Sequence, residues 1–572
     1  MKKCSKCGKE FNDDVAFCSV CGTPLEEVAE LKAEEPVKEA EAQTEQATPA
    51  QEAAPAAPAE KKPNFFTNLI GKFNALSTKS KALCCGICAV IVLAIIAICC
   101  LAGGKKDYRV NKDAIELVLD SDADAYFVYN GKGQHKKVAG AEKNLSRVIA
   151  SPDGKSYVVK DDESNYYILT IKGMTKFAEE GAKFIFSANS NAVAYIAENK
   201  KETQALFVYD IKSKKTTEVA SPVAGKFIIS ANGKHVCYID EDGDEPIAYL
   251  VKNLKNKTKL GKNVTPIAVS DNGKLVYYTD ITTDKKDGST SVTLNLLKGS
   301  KRTVIARDFS GGRIVFNKNL TQILFSNDDK VRLSVNGKDP AGLTKGTLSG
   351  IALNAYTVTQ STRTGFTVEI VYKNTLKGAL LVNSENVYYI KNLKTAEKVI
   401  NGENISSLAV SYDYKSLLYI KDDNVYYMSN IKNPDKVKKV ADLEDYDVSN
   451  FTASKDLKSF YFESDDNLYF AKRGGKVKLI AEEVTTAGYD YLTDTIYYFK
   501  DYSNGDVADL YGSKGGRKNK KVAKKALEVD TTRGDVPIVY RENKNDDYAD
   551  IYILNGYSIK NVKVKVEGAS AR

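Results

Sequence analysis

The chain has 572 residues, 43% of them hydrophobic and 27% charged, and its 83 Lys and Arg against 74 Asp and Glu leave a net charge of +9. That length exceeds a single small domain, and opposite charges alternate along most of it, the pattern of a solvated surface, so no nucleic-acid partner is expected. Trp is absent and His occurs only at 135 and 235, which removes most histidine-dependent catalytic constellations.

The first segment, 1–25, carries Cys4-Ser5-Lys6-Cys7-Gly8 and Cys18-Ser19-Val20-Cys21-Gly22. Each C-x-x-C pair can wrap one edge of a metal tetrahedron, and the glycine that follows permits the positive φ of a tight knuckle. Cys4, Cys7, Cys18 and Cys21 together supply four thiolates with no neighbouring His or carboxylate, a donor set that favours Zn²⁺ over iron. With all four positions filled by protein, the ion is structural, and it supplies most of the folding energy of so short a piece. These residues, with Phe11, Phe17 and Gly22-Thr23-Pro24-Leu25, resemble the short bacterial zinc-ribbon domain, and the resemblance implies a structural zinc site. A cytoplasmic protein is the expected partner of this module, since there is little arm to enter a nucleic-acid groove.

Residues 26–63 are Ala, Glu, Pro, Gln and Thr for most of their length and read as a disordered linker, with Pro36, Pro49, Pro55 and Pro58 interrupting any helix. In the juxtamembrane stretch 64–81, Phe65, Leu69, Phe73 and Leu76 recur at helical spacing among lysines. Two readings stay open here, an amphipathic helix on an anionic leaflet and an extension of the helix that follows. That helix is 82–102, ALCCGICAVIVLAIIAICCLA, which contains no charged residue. At about 1.5 Å per residue it reaches roughly 32 Å, enough for a hydrocarbon core of about 30 Å, and is expected to span the membrane once.

Lysines flank both ends of the span, so orientation rests on cysteine usage. Four of the ten cysteines precede residue 22, five lie within the span, and only Cys237 follows. Thiolate ligands persist in a reducing compartment, whereas a nearly cysteine-free domain tolerates an oxidising one. The expected localisation is the cell membrane, with a cytoplasmic N-terminus and an extracytoplasmic C-terminal domain.

From 110 to 572 the chain is a succession of short strand-like runs. Ser151-Pro-Asp-Gly-Lys155, Ser230-Ala-Asn-Gly-Lys234 and Ser270-Asp-Asn-Gly-Lys274 each precede an apolar run, and weaker copies begin at Ser187, Asn317, Ser411 and Ser454. The interval of 94 between Asn317 and Ser411 reads as two units with a degenerate copy near 364, and decayed copies are expected near Tyr491 and Thr531. Asp or Asn before Gly offers side-chain bonding to the backbone and a positive φ, the requirements of a tight reversal. A second marker about eleven residues on, exemplified by Asp161-Asp162, Asp328-Asp329, Asp422-Asp423 and Asp465-Asp466, reads as hairpin tips and not as acid-base pairs or calcium ligands, because it recurs at one offset. A unit of about 40 residues is the length of one four-stranded blade.

The Ser-Pro-Asp-Gly-Lys form resembles the repeat of TolB-type propellers, and Asn424-Val-Tyr-Tyr427 resembles propellers of Gram-positive surface proteins. The resemblance implies a mainly β fold with a C-terminal β-propeller of about eight blades, within a range of seven to nine. Two smaller propellers joined near 340–375 are the alternative. Glu116 to Tyr129 is expected to add a strand to the first or last blade.

No G-x-S-x-G, H-E-x-x-H or phosphate-loop motif occurs. His135 sits in a turn-like run and His235 follows a repeat glycine, so both have structural explanations, and the chain reads as no enzyme. The expected role is a membrane-anchored binding or scaffold module for a protein, peptide or cell-envelope ligand. A transmembrane sensor and an extracellular carboxylate-dependent hydrolase are the alternatives.

Overall fold

The computed structural model describes residues 2–3, 10–11, 115–119, 125–129, 135–139 and 144–567, the last range apart from short loop segments. The chain divides into two compact units, Met1–Ile95 and Ile96–Arg572. In the first, Lys2–Lys3 pairs antiparallel with Glu10–Phe11, Lys3 opposite Glu10, so the two strands bracket the Cys4–Lys9 segment. The apolar run 82–102 lies outside the described residues. Among those that are described, no helix is long and apolar enough to cross a membrane.

The described part of the second unit consists of strands in ten sheets, numbered here I to X in chain order. Sheet I is three-stranded (115–139) and sheet II four-stranded (146–179). Sheets III (182–220), IV (227–262), V (264–306), VIII (405–442) and IX (449–481) repeat the four-stranded antiparallel meander of sheet II. This is a mainly β architecture of serial four-stranded sheets, consistent with a propeller. The expected strand within 116–129 is present as two, Ile115–Leu119 and Ala125–Tyr129, both in sheet I.

Side chains alternate across a strand, and here both faces are buried, so successive residues enter different cores. In the second strand of sheet IV, His235–Asp240, Val236 and Tyr238 pack toward sheet III, while Cys237 and Ile239 pack toward sheet V. The same division recurs from sheet to sheet. Leu117 and Tyr157 join I to II, Phe184 and Val158 join II to III, and Tyr277 and Phe316 join V to VI. Val387 and Tyr419 join VII to VIII, and Leu468 and Ile496 join IX to X. The core is thus a series of slabs between neighbouring sheets, each contacting the next, as expected of a repeat fold. Fourth strands are polar and exposed by contrast: Lys215–Ala220 and Asn256–Lys262 form edges rich in Lys and Thr, which discourages further pairing.

Sheets VI, VII and X depart from the pattern. Sheet VI has the meander 313–345 plus a hairpin, Thr357–Ser361 and Thr367–Val371, whose second strand runs parallel to the first strand of the sheet, Arg313–Asn317. This hairpin is inserted between the first two strands of sheet VII, Leu348–Ala352 and Leu380–Asn383. The degenerate copy expected near 364 is therefore misplaced by the insertion. The corresponding turn of sheet VII is at 376–379, where the Ala379 N–H donates to the Leu376 carbonyl at 3.2 Å and Gly378 has φ +87°. Sheet X has seven strands. Its fourth strand, Lys520–Asp530, is eleven residues long and carries the chain onward into three more, which pack Val539 and Leu554 back against Tyr497 and Leu510.

Candidate functional site

The repeat turns are organised by a serine, not by the glycine that makes them conspicuous. Ser230 is fully buried; its Oγ donates to Asn232 Oδ1 at 2.8 Å and accepts the N–H groups of Lys234 and His235 at 3.1 and 3.0 Å. The same bracket closes at Ser151, Ser187, Ser270, Ser411 and Ser454, each donating to the Asp or Asn two residues on. At Asn317 the side-chain carbonyl does the equivalent work, accepting the Gln322 N–H at 2.9 Å. Three residues after the bracket, φ is positive at Gly154, Gly233 and Gly273, and equally at Ser190, Leu320, Tyr414 and Leu457. The bracket holds this left-handed position even in side chains that disfavour it. Four of the seven copies do without the glycine; the buried acceptor is the constant feature. At the copy near Tyr491, Asp494 carries the positive φ, and Thr531 is followed directly by residues outside the described set.

Turns of consecutive sheets also bond to one another. The Asp153 N–H donates to Ser190 Oγ (3.1 Å), Asn189 N–H to the Ala231 carbonyl (3.0 Å) and Asn232 N–H to Asp271 Oδ1 (2.7 Å), linking sheets II to V. Further along, the Lys318 N–H donates to the Lys373 carbonyl and the Tyr412 N–H to the Lys455 carbonyl. The turns between first and second strands thus lie side by side at one end of the sheets.

His235 belongs to this rim. It is 4% exposed, its Nδ1 accepts the Asn253 N–H at 3.2 Å, and its Nε2 lies 3.1 Å from the Asp271 carbonyl oxygen. An accepting Nδ1 leaves the proton on Nε2, which donates, so the ring is a neutral bridge between sheets IV and V. Burial pulls its pKa down, with Lys252 and Lys234 adding to the shift and Asp271 opposing it. His135 begins the third strand of sheet I, far from a shared site in sequence. Cys237 is fully buried and its thiol is pushed up by desolvation, which makes it an inert packing group.

The carboxylate pairs stand at the opposite end. Asp328-Asp329, Asp422-Asp423 and Asp465-Asp466 all have φ between +46° and +59° and fill two-residue reversals of the type I′ hairpin, as their spacing predicts. Asp161 differs: it is buried and accepts from the Asn165 N–H, Asn165 Nδ2 and Tyr167 OH at 2.8 to 3.0 Å. The paired positive φ values make these three carboxylate pairs turn formers; among the described residues no three metal-ligating side chains cluster.

Near the first sheets, Arg147 pairs with Glu116, donates to the Leu117 carbonyl at 2.8 Å and lies 4.9 Å from the Tyr157 ring centre. Burial lowers its pKa, but the Glu116 carboxylate, with the Tyr157 and Tyr540 phenols, outweighs that and leaves it raised. Tyr540 lies in sheet X, so the last sheet reaches the electrostatic surroundings of the second.

The four cysteines lie outside the described residues; the described strands nearest to them in sequence are Lys2–Lys3 and Glu10–Phe11, which pair antiparallel. A zinc-ribbon family model matches residues 3–25, which include Cys4, Cys7, Cys18 and Cys21. No curated protein matches the chain. Solved structures similar to it include the β-propeller domain of the Trilobed protease from Pyrococcus furiosus, at 10% identity and TM-score 0.23 over 65% of this chain and 92% of that one. TolB from Acinetobacter baumannii is 14% identical with TM-score 0.23, over 40% of this chain and 62% of its own. Pyrococcus horikoshii acylaminoacyl peptidase is 11% identical with TM-score 0.26, over 61% and 56%. The chain spans less than two thirds of the last two. The expectation that the protein is no enzyme is corrected by these comparisons: acylaminoacyl peptidases, a prolyl endopeptidase and the tricorn protease are among the structures it resembles, at no more than 16% identity. The architecture therefore does not exclude catalysis, and at such identities and scores it assigns no activity either. What the chain holds is a zinc-ribbon segment followed by a mainly β domain of serial four-stranded sheets.

Proposed function

We propose that this is a single-pass membrane protein whose N-terminal zinc ribbon stays in the cytoplasm and whose sheet domain, on the other side, is a binding and scaffold module of the propeller type. The observation that carries the reading is the rim of serine-bracketed turns, hydrogen-bonded from sheet to sheet, because it gives a rigid platform on which exposed side chains keep fixed positions. Sheets II to X each contain a four-stranded meander, which supports nine blades, the upper end of the expected range. Support for the membrane anchor is the charge-free run 82–102, and for its orientation the confinement of Cys4, Cys7, Cys18 and Cys21 to one side of it. Those four thiolates are the zinc ligands of the proposal.

Protease added to intact cells tests the topology. The domain beyond residue 110 is expected to be cut while an epitope at the N-terminus stays protected, and the reverse pattern would sink the orientation. Crosslinking on intact cells, with the full chain as bait, tests the binding role; a chain that captures no envelope component above an inert membrane control is no scaffold.

A further inference from the structure

The meander sends the turns of each sheet alternately to two ends. Turns between the first and second strands and between the third and fourth strands share one end; turns between the second and third strands and the links to the next sheet share the other. Several of those links are one to three residues long, as at Asn263, 346–347 and 482–484, so each sheet starts at the end where the previous one finished and the assignment carries along the chain. Charge follows this division. Among the described connecting residues of sheets II to X, the first end holds 20 Lys and Arg against 7 Asp and Glu, and the second holds 19 Asp and Glu against 4 Lys and Arg.

The acids at the first end are largely committed to structure. Asp153, Asp413 and Asp456 accept serine hydroxyls, and Asp271 accepts the Asn232 N–H. The bases project: Lys155, Lys172, Lys212, Lys214, Lys234 and Lys255 are all exposed. They occupy two tracks, one on the turns between first and second strands and one on the turns between third and fourth. Almost all are lysine, with Arg473 and Arg517 the exceptions. Lysine acts as a point charge without the bidentate fork that selects a particular carboxylate or phosphate. A row of exposed point charges on a rigid rim instead suits a flexible chain that meets many of them at once.

We infer that the basic end binds a flexible polyanion of high linear charge density, a chain of repeating phosphates, while the acidic end repels it and so sets which side is occupied. The inference rests on the binding-module reading but not on which side of the membrane the domain lies. Failure of polyanion binding leaves that reading intact if crosslinking still captures an envelope component.

The test uses the full chain in detergent with long-chain inorganic polyphosphate as probe, followed by fluorescence anisotropy over a series of salt concentrations. Binding is expected to weaken steeply with salt, as counterions are released on contact. Replacing Lys172, Lys212, Lys214, Lys255 and Lys394 by Gln is expected to weaken it roughly tenfold or more near 0.1 M salt and to flatten the salt slope, since each lost contact lowers that slope by about one. The control replaces five lysines at or next to the acidic end, Lys200, Lys201, Lys330, Lys345 and Lys421, by Gln and is expected to change affinity by less than about twofold. Equal loss in both variants would mean that net charge alone is responsible and would overturn the inference. So would competition by orthophosphate at equal phosphate concentration, or binding to anionic phospholipid vesicles but not to polyphosphate. Salt-sensitive self-association with no polyphosphate binding would assign the basic end to the acidic end of a second copy.

Discussion

Replacing Ser230 by Ala removes one oxygen from a fully buried turn, and the consequences can be worked out bond by bond. The Lys234 N–H keeps Asn232 Oδ1 at 3.0 Å as an alternative acceptor. The His235 N–H has only the serine oxygen at 3.0 Å, and His235 is buried. Asn232 Oδ1 also loses its hydroxyl donor. A buried hydrogen bond contributes about 1 kcal/mol net, and a buried N–H left without a partner costs about 1–3 kcal/mol. The expected destabilisation is about 2–4 kcal/mol, felt first between sheets III, IV and V, where the turn is tied to Ala231's partner Asn189 and to Asp271. Because the fold is a series of slabs, a global unfolding energy registers a loss but does not say which sheets loosen. Hydrogen exchange read by mass spectrometry is preferable, with faster exchange expected in peptides covering 227–240 and 264–278 and none in 449–481. Ser213→Ala is the control, because Ser213 is exposed in a turn of sheet III. If Ser230→Ala exchanges no faster than that control, the serine bracket is not what holds the repeat.

Four further outcomes are expected, three from the sheet domain and one from the cysteine spacing at the N-terminus. His235 is kept neutral by burial, so below the unfolded value of about 6.5 the unfolded chain takes up a proton that the folded chain refuses. Stability is therefore full above that pH and falls as pH drops below it, and His235→Gln is expected to flatten the change in urea midpoint between pH 7.5 and 5.5. Gly273 has φ +62°, and a Cβ there would stand 2.8 Å from His235 Nδ1; Gly273→Ala is expected to destabilise more than Gly154→Ala, where a similar φ of +66° meets open space, as judged by urea melts. Phe316→Ala empties a fully buried site between sheets V and VI and is expected to cost about 3–5 kcal/mol, seen as protease cleavage between residues 264 and 345. Zinc measured by mass spectrometry in the full chain is expected near one equivalent and to be lost in Cys4→Ser with Cys18→Ser, while the exchange pattern of 146–567 stays unchanged.

The repeat was legible in sequence because turn chemistry is local. A Ser, an Asp or Asn and a Gly within four residues announce a reversal by themselves, and the carboxylate pairs at hairpin tips were readable for the same reason. The inserted hairpin at 357–371 was not, because it keeps ordinary strand composition and breaks only the interval between markers. Its parallel pairing with Arg313–Asn317 joins residues more than fifty positions apart, and no local signal encodes that. The serine bracket was visible as a repeated letter, but its role as acceptor for the N–H groups four and five residues on depends on burial, which one turn's sequence does not state. His235 looked like another turn residue until Asn253 and Asp271 closed around it.

Charge is where the linear reading and the folded chain differ most, and the reason is geometric. Lys and Asp are interspersed along the sequence, so most stretches carry both signs and read as a mixed surface. A meander reverses direction at each turn, so charges in alternate turns are carried to opposite ends. The Asp422-Asp423 tip and Lys415 are seven residues apart, yet the second strand of sheet VIII, Leu417–Lys421, carries one to each end. At about 3.3 Å per residue that strand spans roughly 17 Å, beyond the Debye length of about 8 Å at physiological salt. The two ends are therefore electrostatically separate surfaces in solution, and a ligand at one is selected by a charge that the composition of the whole chain conceals.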